Sequence, residues 1–64
     1  MGKNLYPKLE RLLTAAGCEF IRQGAGSHEI WRSPDGQKFT VPRDTVNRHT
    51  ANGILKDAGL PKAF

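Results

Sequence analysis

A four-residue segment, Ser33-Pro34-Asp35-Gly36, separates two runs that are both able to form β-strands. In such a segment proline presets the first φ angle, aspartate bonds its local backbone, and glycine accepts a positive φ. The run 28–32 before it and the run 37–41 after it combine β-branched, aromatic and charged residues. Pro42 ends the second run because it cannot donate to a strand ladder. The pattern predicts an antiparallel hairpin.

The length of the turn decides which side chains share a face of the sheet. In a three-residue loop with a bulge at the glycine, Ser33 pairs with Gln37. One face then carries Trp31, Phe39 and Val41, and the other carries His28, Ile30, Arg32, Lys38 and Thr40. A two-residue Asp35-Gly36 loop would shift the register by one and group His28, Ile30, Phe39 and Val41. We favour the first register, which buries the aromatic residues and gathers the cations, although it leaves Ile30 on the open face.

Helical patterns flank this hairpin on both sides. A helix over about 6–16 is predicted from apolar residues that fall on one face, with Pro7 in its first turn and Gly17 just past its end. Residues 18–23 are β-capable and lead into a glycine-rich connection. Thr50 is predicted to cap a second, short helix that Gly59 and Pro61 end. The apolar positions of the two helices are Leu5, Leu9, Leu12, Leu13, Ala16, Ala51, Ile54, Leu55 and Ala58.

The predicted order is α-β-β-β-α, an α+β fold with a three-stranded antiparallel sheet and two helices on one face. Sixty-four residues are enough for one thin core, so we expect a single domain over 1–64. A chain of this size has no room for a deep, enclosed active site. Any chemistry is therefore expected at an open surface or a shallow edge.

The charge balance indicates an anionic partner. Lysine and arginine number 10 against 6 aspartate and glutamate residues, a net charge of +4, which favours a nucleic acid or an acidic protein as partner. A single cysteine, Cys18, excludes an internal disulfide, and with two histidines a structural zinc site is not expected. No apolar run approaches the length of a membrane span or a signal-peptide core, so we expect a cytoplasmic protein without membrane contact.

His28 is the candidate reactive side chain. It follows the connection 23–27, which reads as a tight turn ending in Gly26 and Ser27. A turn of this kind holds the imidazole at a fixed place, and imidazole exchanges protons near neutral pH. A surface histidine beside a hairpin turn is the plain alternative.

Several motifs together carry a family resemblance. They are Ala16-Gly17, Phe20-Ile21-Arg22-Gln23, Gly26-Ser27-His28, Ser33-Pro34-Asp35-Gly36, Thr40-Val41-Pro42-Arg43 and Ile54-Leu55-Lys56-Asp57-Ala58-Gly59-Leu60. In this order and spacing the chain resembles the HicA-type (YcfA-like) toxins of bacterial toxin–antitoxin pairs over nearly its whole length.

The resemblance implies a fold like the double-stranded RNA-binding domain and a ribosome-independent mRNA endonuclease that a HicB-type antitoxin neutralises. It also implies that His28, the histidine of the Gly-Ser-His motif, is the catalytic residue. The chain departs from the family at Glu29, where a second histidine is often found, and at Asp44, where a basic residue or histidine is frequent. We expect both departures to change the charge near the RNA path.

Chemistry based on His28 agrees with this reading. Cleavage of RNA without a metal needs a base that activates the ribose 2′-OH against the adjacent phosphorus. The sequence shows no carboxylate cluster suited to two Mg²⁺ ions, so we expect no metal or other cofactor and 2′,3′-cyclic phosphate products.

Other residues are assigned to binding the RNA. Backbone N–H groups around Gly24 to Ser27, with Gly26 and Ser27 assigned to the RNA, are candidates to cradle a phosphate. Phosphate contacts are expected from Arg22, Arg32, Lys38 and Arg43. His49 is a candidate general acid, and Trp31 is assigned to the core rather than to base stacking.

Two other functions stay open on the sequence alone. One is a non-catalytic RNA-binding module of the same fold, in which His28 only contacts RNA. The other is an interaction protein whose basic face binds an acidic protein.

Overall fold

A computed structural model describes residues 4–64, and Met1 to Lys3 of the predicted domain lie outside the described residues. The elements are α1 (Tyr6–Ala15), β1 (Glu19–Gln23), β2 (His28–Arg32), β3 (Lys38–Pro42) and α2 (Arg48–Asp57). The three strands form one antiparallel sheet in the order β1-β2-β3. The predicted α-β-β-β-α order is confirmed.

The hairpin between β2 and β3 has the register that a three-residue loop predicts. The Ser33 N–H donates to the Gln37 carbonyl at 2.8 Å, and the Gly36 N–H donates to the Ser33 carbonyl at 2.9 Å. Trp31 therefore lies opposite Phe39. Gly36 has a φ of +92°, a left-handed value that favours glycine. The alternative register, with a two-residue loop, is wrong.

The polar groups of this turn form hydrogen bonds with one another. The buried Ser33 hydroxyl donates to the Asp35 carboxylate, and the Gln37 N–H reaches the same carboxylate at 3.4 Å. The serine bond first, and then the Gln37 amide, hold the pKa of Asp35 below its usual range. The turn thus keeps its geometry through local polar bonds.

Both helices cover the same face of the sheet. The aromatic pair Trp31 and Phe39 is 3% and 8% exposed, and it meets leucine and isoleucine side chains from the two helices. The cluster contains Leu9, Leu13, Cys18, Trp31, Phe39, Val41, Ile54, Leu55 and Ala58. Burial of each large apolar side chain contributes about 1.5–3 kcal/mol before the entropy cost of folding. Neither helix of the described residues 4–64 covers the other face of the sheet.

The first strand is a more irregular edge than the sequence indicates. It begins at Glu19, one residue after the predicted start, and a bulge lies between Phe20 and Arg22. Cys18 is buried just before the strand, and burial raises the pKa of its thiol, with a smaller effect from the charge of Asp35. This agrees with a small core side chain and gives no support to a nucleophilic one.

The second helix begins earlier than predicted, and Thr50 is not its cap. Asn47 precedes the helix with extended backbone angles, and its side-chain oxygen accepts the His49 N–H at 2.7 Å. Thr50 is the third residue inside the helix and is exposed. The apolar pattern starts only at Ala51, so spacing alone places the cap at Thr50 and leaves Arg48 and His49 outside the helix.

Neither helix is a membrane span. Each contains ten residues, and within residues 4–64 no helix is long and apolar enough to cross a bilayer.

Two glycine-to-alanine substitutions are expected to change stability in opposite directions. Gly36→Ala forces a Cβ atom into the positive-φ turn and should lower the free energy of unfolding by about 1–2 kcal/mol. Gly53→Ala lies inside α2, where an added Cβ meets nothing within 4 Å. It should raise the free energy of unfolding by about 0.5–1 kcal/mol.

Urea unfolding of the two variants beside the parent protein checks this pair. The same sign of change in both variants would contradict the assigned turn or the assigned helix.

Candidate active site

His28 is the first residue of β2, and both its backbone N–H and its backbone carbonyl are hydrogen-bonded. The Gly24 N–H donates to the His28 carbonyl at 2.7 Å, and the His28 N–H donates to the Ala25 carbonyl at 3.1 Å. Gly26, inside this turn, has a φ of +60°. The imidazole is exposed. A backbone held in this way presents the side chain to solvent from one fixed position.

The turn is also attached to the loop that follows β3. The Arg43 N–H donates to the Ser27 carbonyl at 2.9 Å, and the Ser27 hydroxyl lies 3.3 Å from a carboxylate oxygen of Asp44. From the other side, the Gln23 side-chain amide donates to the Gly26 carbonyl at 2.8 Å. His28 therefore lies at the junction of β1, β2 and the loop after β3.

Three successive N–H groups of this turn are free to bind a ligand. Within residues 4–64, the amides of Ala25, Gly26 and Ser27 donate to no protein acceptor. The Gly24 N–H, also predicted to cradle the phosphate, is not free, because it donates to the His28 carbonyl. All three residues are exposed. Successive backbone N–H groups in a turn are a common anion-binding arrangement.

We call the uncovered side of the sheet the open face and define it by His28, Ile30 and Arg32 of β2 with Arg22, Lys38 and Thr40 of the neighbouring strands. Ile30 lies opposite Arg22 on one side and Thr40 on the other. It is only half-buried. The members from β2 and β3 are those predicted, including the partly exposed Ile30, and the pairing of β1 adds Arg22.

The four cations predicted to contact phosphate are not equivalent. Arg32 forms an ion pair with Glu19 across the β1–β2 ladder. Arg43 lies away from the open face, with its Nε 3.6 Å from a carboxylate oxygen of Glu29. Arg22 and Lys38 form no ion pair within residues 4–64. The two unpaired cations are thus the better candidates for an anionic ligand on this face.

Among residues 4–64, Glu29 is a buried charged residue that sequence reasoning missed. One of its carboxylate oxygens accepts the Tyr6 hydroxyl at 2.7 Å and the Trp31 indole N–H at 2.9 Å. The other faces Arg43. The residue is 7% exposed, and such burial is tolerated because donors surround the carboxylate.

The expectation that Glu29 changes the charge beside the RNA path is therefore wrong for this residue. Strand alternation turns it to the helix-covered side, opposite to His28. The preferred register already implied this, because Glu29 and Trp31 are two residues apart on one strand. Asp44 does place a carboxylate beside Ser27, and its effect on an RNA path stays a prediction.

Trp31 belongs to the core, as predicted. It is 3% exposed, donates to Glu29, and packs edge-on against Phe20 with ring centroids 6.2 Å apart. Its ring is not accessible to a base.

His49 lies on α2 rather than on the strand that carries His28. His49 is in the first turn of α2 and lines a hollow formed with the C-terminal residues, and His28 does not line that hollow. Among residues 4–64, no group of three or more histidine, cysteine, aspartate or glutamate side chains is arranged to hold a metal ion.

Tyr6 offers a direct test of the Glu29 network, since it is the only tyrosine in the sequence. Burial, followed by the Glu29 hydrogen bond and charge, raises the pKa of Tyr6 far above its usual value. A raised pKa in the folded state means that this stabilisation is complete below about pH 10, the pKa of an unfolded tyrosine, and is lost as the pH rises further. The parent protein should therefore lose stability above about pH 10 more steeply than Tyr6→Phe.

The titration of Tyr6 can be followed directly by the ultraviolet absorbance of tyrosinate. Glu29→Gln should lower the pKa of Tyr6 toward its usual value, because the neighbouring negative charge is removed. An unchanged tyrosine titration in Glu29→Gln would contradict the network.

Comparison with known proteins places the chain in a family. Neither a curated protein nor a solved structure matches it. A family model described as HicA toxin of bacterial toxin–antitoxin matches residues 6–60, which include both helices, the whole sheet and His28. The resemblance stated from the sequence motifs is thereby confirmed, and the chain belongs to the HicA toxin family of bacterial toxin–antitoxin systems.

Proposed function

We propose that this chain is an mRNA endoribonuclease in which His28 is the general base and no metal ion takes part. The observation that carries the proposal is the position of His28, exposed on the open face and fixed through its backbone beside three free N–H groups. Membership of a toxin family supports a damaging activity, and the excess of cations supports an anionic substrate.

The proposed reaction is an internal transfer at phosphorus. His28 accepts the proton of a ribose 2′-OH as the 2′ oxygen attacks the adjacent phosphorus. The bond from phosphorus to the 5′ oxygen breaks, and that oxygen takes up a proton. The products are a 2′,3′-cyclic phosphate and a 5′-OH end. A positioned general base of this kind contributes about 10²–10⁴-fold in rate.

The phosphate is proposed to bind beside His28. The free N–H groups of Gly26 and Ser27 are suited to a phosphate oxygen, and Arg22 and Lys38 supply positive charge on the same face. We assign a smaller contribution to Arg32 and Arg43, because each already faces a carboxylate.

The partner is proposed to be a HicB-type antitoxin that covers His28. Because His28 lies on an open face, inhibition requires a partner that covers it. Acidic groups on that partner would complement the net charge of +4. An mRNA substrate would place the toxin in the cytoplasm.

The histidine is tested by cleavage of single-stranded RNA in EDTA. His28→Ala and His28→Gln should lose about 10²–10⁴-fold in cleavage rate, because neither side chain accepts the proton. Both should remain folded, since substitutions at exposed positions usually change stability by less than about 0.5 kcal/mol. Both should also lose the ability to arrest growth when expressed without the antitoxin.

Added imidazole is the internal control. It should partly restore cleavage by His28→Ala, where a space is left, and less by His28→Gln, where the side chain fills it. Full cleavage by His28→Ala without imidazole would remove His28 from the mechanism. RNA binding without cleavage by the parent protein would favour a non-catalytic RNA-binding module.

A further inference from the structure

An open hollow of about 590 Å³ lies between α2 and the C-terminal residues, away from the open face. Three cations line it, Arg48 and Lys56 from the helix and Lys62 from the tail. We call these three residues and the space between them the basic hollow. Of the three cations, only Lys56 belongs to the sequence motifs that carry the family resemblance.

The cations of the basic hollow are unpaired in the described part of the chain. None of its three cations forms an ion pair within residues 4–64, and no aspartate or glutamate side chain lines the space. By contrast, Arg32 on β2 and Arg43 directly after β3 each face a carboxylate. Unpaired cations around one concave surface raise the local positive potential and attract an anionic ligand.

The wall of the hollow is held in place by hydrogen bonds. The Asn52 side chain accepts the N–H groups of Ala63 and Phe64 at 3.2 and 3.1 Å and donates to the Phe64 carbonyl at 3.3 Å. Lys8 donates to the Ala63 carbonyl at 3.2 Å, and its ammonium lies 4.9 Å from the centre of the Phe64 ring. The concave shape is therefore formed before any ligand binds.

The hollow lies within reach of a nucleic-acid strand that passes His28. Pro42 lies opposite His28 in the sheet, and Arg48 follows six residues later, a distance of at most about 20 Å along the chain. Arg48 and Lys56 are eight residues apart on one helix, about 12 Å along its axis. Charges spread over that distance suit a ligand with several phosphates better than a single anion.

We propose that the basic hollow binds the sugar–phosphate backbone of the RNA that flanks the cleaved bond. This inference rests on the proposed ribonuclease function and extends it from a site of cleavage to a longer RNA path around the edge of the sheet. The hollow supplies affinity rather than chemistry, because phosphate contacts position a strand and are independent of its sequence.

The experiment measures RNA affinity at several salt concentrations with a single-stranded RNA of about 20 nucleotides. All variants are made in a His28→Ala background, so that the RNA stays intact. Arg48→Gln, Lys56→Gln and Lys62→Gln are each added to this background. Each should weaken binding several-fold at low salt and reduce the slope of log affinity against log salt by about 0.7, the value for one phosphate contact on a single strand.

Arg11→Gln is the matched control, since Arg11 is an exposed cation on α1 that does not line the hollow. It should leave the slope nearly unchanged, and circular dichroism should show that all variants are folded. Equal slopes for the hollow variants and for Arg11→Gln would overturn the proposal.

Arg22→Gln on the open face separates this proposal from the proposed function. A reduced slope for Arg22→Gln alone would leave the ribonuclease in place and overturn the RNA-binding role of the hollow. Hollow variants that keep RNA affinity but lose antitoxin binding would reassign the hollow to an acidic protein and also overturn the proposal. A His28→Ala protein that binds no RNA even at low salt would overturn both the proposed ribonuclease and the RNA-binding role of the hollow.

Discussion

The alternation of side chains along β2 is the constraint from which the rest of the structure follows. A strand presents successive residues to opposite sides, so Glu29 and Trp31 lie under the helices while His28, Ile30 and Arg32 lie on the open face. The turn around Gly36 fixes this division, because a shift of one residue would exchange the two sets. Core and candidate site are thus two faces of one short strand.

The buried carboxylate of Glu29 connects these two faces. Its bonds reach Tyr6 on α1 and Trp31 in the core, and its second oxygen faces Arg43. The backbone of Arg43 in turn binds Ser27, the residue before His28. In a domain with so small a core, a buried carboxylate with donors from several elements specifies how a helix, a strand and a loop meet. These contacts link Glu29, on the helix-covered side, to the turn that precedes His28.

Much of this fold was predictable because strong local signals agreed with one another. The turn residues 33–36, the apolar spacing of the first helix and the β-capable runs all favoured one topology. The start of the second helix was missed, since the cap Asn47 precedes the apolar pattern by four residues. His28 and the open-face grouping followed from register. The pairing of Arg32 with Glu19, the bonds of Glu29 and the hollow beside the C-terminal tail depend on contacts between distant segments, and composition and spacing do not encode them.

The central claim is that His28 activates a ribose 2′-OH, and an RNA lacking that one hydroxyl tests it most directly. The position of cleavage is first mapped on an all-RNA strand, and a single 2′-deoxynucleotide is then placed at the nucleotide that supplies the attacking oxygen. The account predicts that cleavage at this position disappears while binding affinity stays the same. Cleavage of the substituted strand at an unchanged rate and position would contradict it, because the attacking group would then be a water molecule or a protein side chain.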